Sequence, residues 1–108
     1  MDRREIYAVA KAAGLPTVYR GWKAGGEEPM PYVVYRFSYS NDLMADNMNY
    51  LTRETWQIEL YAESKDDAHE MSIQQALKEA GLKYEKREYT FDTPKSFIQT
   101  IFIVKTIG

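Results

Sequence analysis

Pro31-Tyr-Val-Val-Tyr-Arg-Phe-Ser-Tyr39, then Ser40-Asn-Asp-Leu-Met-Ala-Asp-Asn-Met48, then Asn49-Tyr-Leu-Thr-Arg-Glu-Thr-Trp-Gln-Ile-Glu-Leu-Tyr-Ala-Glu63: these three consecutive segments decide the fold. Inside Thr55 to Glu63, Trp56, Ile58, Leu60 and Ala62 share one face. Thr55, Gln57, Glu59 and Tyr61 oppose them, which is the period of two that a strand requires. One face is expected to meet the core and the other to meet water or a neighbour. In Pro31 to Tyr39, Val33, Tyr35, Phe37 and Tyr39 fall on one face, with Tyr32 and Val34 on the other. Two aromatic-rich strands joined by a long polar loop make a hairpin with an extended tip.

Working outward, Asp2 and Glu5 have capping-box spacing, and Ile6, Val9, Ala10 and Ala13 form one apolar stripe before Gly14. A first helix is predicted from about Arg3 to Ala13. Thr17 to Arg20 can form a short strand, and the glycines and prolines between Gly21 and Pro31 require a loop. After the hairpin, Ser64 is expected to cap a second helix, with Asp66 and Asp67 in its first turn. Ala68, Met71, Leu77 and Ala80 are its predicted inward side, and Gly81 ends it. Leu82 to Phe91 and Ser96 to Ile107 follow as strands around the turn Asp92 to Lys95. The last is apolar on both faces and is expected to be central or covered twice. The order α-β-β-α-β-β predicts an α+β fold: a mostly antiparallel sheet of four to five strands, two helices packed against it, and a long hairpin loop.

At 108 residues the chain is expected to be a single domain, 1–108. Fourteen basic and 16 acidic residues give a net charge of −2, so no overall positive field draws it to nucleic acid or anionic lipid. Lys83, Lys86 and Arg87 are the densest basic group, with Glu85 and Glu88 among them. Nine tyrosines suit half-buried sheet faces and protein interfaces. Cysteine is absent, which excludes disulfides and thiolate metal sites and fits a reducing compartment. The charged start Met1-Asp-Arg-Arg-Glu5 is no signal segment, and the apolar run Ile101-Phe-Ile-Val104 is too short to span a bilayer. A soluble protein made in the cytoplasm is expected, with no membrane partner.

The residues offer no catalytic, cofactor or metal site. His69, the single histidine, lacks the second histidine of a helical zinc motif and is expected to face solvent. Glu27, Glu28, Asp42 and Asp46 follow no known cation-binding loop. Gly21-Trp-Lys-Ala-Gly-Gly26 lacks the Gly-Lys-Ser/Thr ending of a phosphate loop. Glu54 and Glu59 are five apart on a strand and point to opposite faces, so they cannot act as an acid/base pair. Ser38, Ser40 and Ser64 have no neighbouring base. No enzyme is expected. More informative are Leu43, Met44 and Met48, apolar side chains in a polar loop, and Trp22 and Met30, which flank the glycine-rich one. Each set either folds back onto its own domain or makes an adaptable protein contact.

In order and length, Pro31-Tyr-Val-Val-Tyr35, a polar excursion, Thr55-Trp-Gln-Ile-Glu-Leu-Tyr-Ala-Glu-Ser64 and an acidic-capped helix ending Leu77-Lys-Glu-Ala-Gly-Leu82 together resemble the tail terminator proteins of long-tailed bacteriophages and prophages, also described as tail-completion or head-to-tail joining proteins. The resemblance implies a structural virion protein of the tail-neck region that terminates the tail tube, assembles with itself as a hexameric ring, and contacts the tail tube protein and the head connector or neck protein. On that reading the tip and the glycine-rich loop, with Trp22, Met30, Tyr39, Leu43, Met44, Met48 and Tyr50, are interface elements. No cofactor is implied, and nucleic acid is not expected as a specific ligand. The alternatives are a related phage neck or connector protein, a small nucleic-acid-binding α+β module that stacks bases on an aromatic sheet face, and a small oligomeric ligand-binding domain.

Overall fold

The computed structural model describes residues 3–21, 29–42, 52–92 and 96–107. Helix α1 covers Arg3–Ala10 and tightens into a 3-10 turn at Lys11–Ala13. Strands β1 (Thr17–Tyr19), β2 (Tyr32–Asp42) and β3 (Thr52–Ala62) follow, then helix α2 (Asp67–Glu79) and strands β4 (Tyr84–Phe91) and β5 (Phe97–Ile107). The five strands form one sheet in the order β1-β2-β3-β5-β4. All pairings are antiparallel except β1 with β2, so the expected α+β architecture is observed with a mixed sheet. The short strand at Thr17 supplies the parallel edge.

Both helices lie on one face of the sheet. Ile6, Val9 and Ala10 of α1 and Ile73 and Leu77 of α2 form a single buried cluster with Val33, Tyr35, Trp56, Ile58, Leu60, Phe102 and Val104. The α1 stripe and the alternation of β3 place these residues as the sequence predicts. Gly14 closes the first helical segment at φ 74°, where its N–H reaches the Lys11 carbonyl. Arg20 at φ 68° and Gly21 at φ 127° turn the chain out of β1, with the Arg20 N–H held by the Tyr35 carbonyl. The expected Asp2 cap and the turn at residues 93–95 lie outside the described residues.

Three expectations need correction. Strand β2 continues to Asp42, beyond Tyr39, and a bulge falls between Phe37 and Tyr39. Phe37 pairs with Trp56 but Tyr39 pairs with Thr55, so the alternation changes phase and Tyr39 does not continue the Val33-Tyr35-Phe37 series. Helix α2 is capped by Asp66, not Ser64: Asp66 Oδ1 accepts the His69 backbone N–H at 3.2 Å. The inward side of α2 is Glu70, Ile73 and Leu77. Ala68 and Ala80 are exposed, and Met71 is 67% exposed. The helix turns toward the sheet through a carboxylate that two lysines neutralise, a position that apolar periodicity assigns to solvent. Gly81, at φ 72°, ends α2 as expected, with Leu82 N–H bonded to the Leu77 carbonyl.

Strand β5 lies between β3 and β4, as its apolar sequence suggests, but the helices cover one face only. Thr100, Phe102 and Val104 are buried beneath them, while Phe97, Gln99, Ile101 and Ile103 alternate onto the opposite face and remain half-exposed. Phe102→Ala, at a fully buried position in the core cluster beside Tyr84, is expected to lower unfolding free energy by about 3–5 kcal/mol. Met71→Ala, on the outer side of α2, is expected to change it by less than about 0.5 kcal/mol. Urea unfolding followed by circular dichroism measures both.

Candidate functional site

Among the described residues no element covers the second face of the sheet. The strand registers bring together there Tyr32 (β2), Tyr61 (β3), Phe97 (β5) and Phe91 (β4) at one end of all four long strands. Tyr32 stacks on Tyr61 with centroids 5.1 Å apart, Tyr61 meets Phe97 at 6.0 Å, and Phe97 stacks on Phe91 at 4.8 Å. The result is a row of rings running across the sheet. Offset and stacked contacts of this kind contribute about 0.5–1.5 kcal/mol each beyond area burial. Phe91 and Tyr89 at the outer edge are 39% and 43% exposed, an aromatic surface that no described element covers.

Beside this row Glu59 is 3% exposed, although it projects from the face without helices. Its carboxylate is satisfied by neighbours on three strands. Tyr61 donates its hydroxyl to Oε1 at 2.7 Å, Arg36 donates Nη2 to Oε1 at 3.3 Å, and Gln99 Nε2 reaches Oε1 at 3.4 Å. Gln99 also donates to the Tyr61 hydroxyl at 2.8 Å. Arg36 Nε lies 3.1 Å from Oε2 without hydrogen-bond alignment, so that contact is ionic only. Burial, then the Glu59 hydrogen bond, pushes the Tyr61 hydroxyl well above the usual tyrosine range. This network locks the side chains of β2, β3 and β5 into a preorganised surface.

A second buried carboxylate pins α2 to edge strand β4 on the helical side. Glu70, 2% exposed, contacts Lys65 at 2.9 Å and Lys86 at 2.5 Å, while Lys65 also pairs with Glu88. Tyr84 adds a hydrogen bond to Gln74 at 3.0 Å. Burial pushes the Glu70 carboxyl up, but the hydrogen bonds from Lys86 and Lys65 outweigh it and hold the group below the usual carboxylate range. Edge strand β4 thus alternates a charged inner side, Lys86 and Glu88, with a charged outer side, Glu85 and Arg87, which pair at 3.2 Å.

Of the residues the sequence singles out as interface elements, Trp22, Leu43, Met44, Met48 and Tyr50 lie outside the described residues. Tyr39 is described only in its backbone, opposite Thr55. Met30 is half-buried and lines a shallow cleft with Pro31, Ala62, Glu63, Lys65 and Asp66, where β2 begins and α2 starts. The sequence does not disclose which aromatics form the row, because Tyr32, Tyr61, Phe91 and Phe97 come together only through register. Their signal in sequence is an aromatic near one end of each of four strands. His69, expected to face solvent, is only half-exposed, and its Nδ1 meets Asp66 Oδ2 at 2.5 Å. The described residues contain no group of three or more His, Cys, Asp or Glu side chains placed to hold a metal ion, and no helix long and apolar enough to cross a membrane.

The chain therefore presents an α+β slab, helices on one side and an aromatic sheet face on the other. No protein-family model matches the sequence, and no curated protein matches it. Among solved structures it is similar to a chain from the virion of a native gene transfer agent particle, with a TM-score of 0.50 and 15% sequence identity. The likeness covers 94% of this chain and 86% of that one. At that identity it speaks for the fold.

The pH dependence of stability tests the Glu70 clamp. A carboxylate whose folded pKa is depressed stabilises the fold above its unfolded pKa, and that contribution is lost as pH falls through the folded value. Glu70→Gln is expected to cost on the order of 2 kcal/mol at pH 7. The cost should shrink as pH is lowered below about 4, the ordinary glutamate value, in parallel urea melts of the two proteins.

Proposed function

We propose that this chain is a structural virion protein of a phage-like particle, a tail terminator that closes the tail tube as a ring and joins it to the head connector. The observation that carries the reading is the sheet face that no described element covers, where an aromatic row and half-exposed Ile101 and Ile103 surround a preorganised polar network. A surface of this composition suits a protein contact, since aromatic anchors held rigid before binding lose little entropy on assembly. The fold shared with a chain of a gene transfer agent virion supports the class. So does the order of motifs that resembles the terminator family. The reading assigns the chain no catalytic step, no cofactor and no membrane contact. Its partners are further copies of itself, the tail tube protein and the connector or neck protein, and its place is the tail-neck region of the virion.

Ring closure needs two different patches on each subunit, because head-to-tail contacts are heterologous. Light scattering from dilute to concentrated protein, with negative-stain images of the same samples, is expected to give a particle of about six subunits with a central opening. A strict monomer at every concentration, with no ring formed on added tail tubes, overturns the reading.

A further inference from the structure

We propose that the open sheet face is closed by the same face of a second copy, related by a two-fold axis running across the strands, so that cations of each copy lie over the aromatic row of the other. Register defines the axis. Val34, Glu59, Ile101 and Arg87 stand opposite one another on β2, β3, β5 and β4, one line straight across the sheet. Side chains of one face recur at every second residue, so further lines lie in pairs on either side of it. One step toward the aromatic end, Tyr32, Tyr61, Gln99 and Tyr89 form a line, and one step the other way Arg36, Gln57, Ile103 and Glu85 form its counterpart. Two steps out, Phe97 and Phe91 stand side by side at the aromatic end. At the opposite end stands Lys105, with Lys83 beside it, because the following residue Tyr84 pairs with Val104.

A two-fold rotation about the central line exchanges these lines between copies. Arg36 then comes over Tyr32, Lys105 over Phe97 and Lys83 over Phe91, each a cation on the face of a ring. Glu85 meets Tyr89, a carboxylate facing a phenol, and Ile101 meets Ile101. Both lysines are exposed, and neither forms an ion pair among the described residues. Arg36 is neutralised by Glu59 and Arg87 by Glu85, so the centre of the face does not repel its own copy. Rotation about the strand direction would instead crowd both lysine pairs at one end and leave them without rings. Four strands about 4.8 Å apart and residue steps of about 3.3 Å from Phe97 to Lys105 give a footprint on the order of 500 Å². Side-chain relief raises the accessible area toward the about 800 Å² per partner of a standard interface. Twisted sheets packed face to face cross at about 30°, and the row spans all four long strands, so the cations still meet rings at that angle. A two-fold contact closes at two copies and stands apart from the ring, whose closure needs two unlike patches. The inference therefore goes beyond the ring reading and does not rest on it.

Sedimentation velocity at concentrations below ring formation is expected to show a dimer of the wild type, and Lys83→Ala/Lys105→Ala to weaken it by about tenfold or more. Circular dichroism should show that variant folded, since both side chains are exposed. The chain has no cysteine, so single introduced cysteines report the geometry. With a short bis-maleimide, Ile101→Cys alone is expected to cross-link into a dimer, because the position faces itself across the axis. Lys83→Cys alone should not, its two copies lying about 26 Å apart along the strands, whereas a mixture of Lys83→Cys with Phe91→Cys should. A six-subunit ring without the Ile101→Cys cross-link overturns the pair and leaves the ring reading standing. A wild type that stays monomeric at every concentration, with no ring on added tail tubes, overturns both. Self-cross-linking of Lys83→Cys, or a lysine variant that dimerises like the wild type, also overturns the inference. So does a monomer whose two lysines are needed to bind a random single-stranded oligonucleotide.

Discussion

The pairing of β3 with β5 is the constraint from which the rest of the molecule is built. Its register is unbroken from Arg53 opposite Ile107 to Ala62 opposite Ile98, and it stands between β2 on one side and β4 on the other. Because side chains alternate, one choice of register sorts two surfaces at once. Trp56, Ile58, Leu60, Phe102 and Val104 go under the helices, while Glu59, Tyr61, Phe97, Gln99, Ile101 and Ile103 go to the open side. A slip of one residue would place Glu59 in the apolar core and strip Ile58 from it.

Two buried carboxylates solve the same physical problem in different ways. A charge removed from water must be paired and hydrogen-bonded, or it becomes neutral. Glu70 meets two lysine ammonium groups and fastens a helix to an edge strand. Glu59 instead meets one arginine and two neutral donors. It fastens strands to one another and holds the Tyr61 hydroxyl. The first shapes the fold and the second shapes a surface, which is why only the second belongs with the sheet face opposite the helices.

The sequence discloses strands better than it discloses the helix face. Thr55 to Glu63 alternates without exception, so β3, its faces and its neighbours on β2 up to Phe37 are legible. The bulge after Phe37 is not, because no glycine or proline marks it. Helix α2 misleads for a chemical reason: an inward glutamate at position 70 breaks the apolar stripe, and an outward methionine at 71 seems to continue it. Ser64 competes with Asp66 as a cap on residue type alone, and only the hydrogen bond to the His69 N–H separates them. The aromatic row requires the strand order β3-β5-β4, which places strands distant in sequence side by side. Local patterning does not carry that order.

Strand β4 has a consequence for how the protein can be stored. An unguarded edge would let copies add strand to strand without limit, since such growth has no geometry that ends it. Charges on both sides of β4, with Lys86 turned inward to Glu70, make that addition costly. The β4 edge is therefore a poor template for the addition of a strand from another copy. That edge is a brake on polymerisation strand by strand.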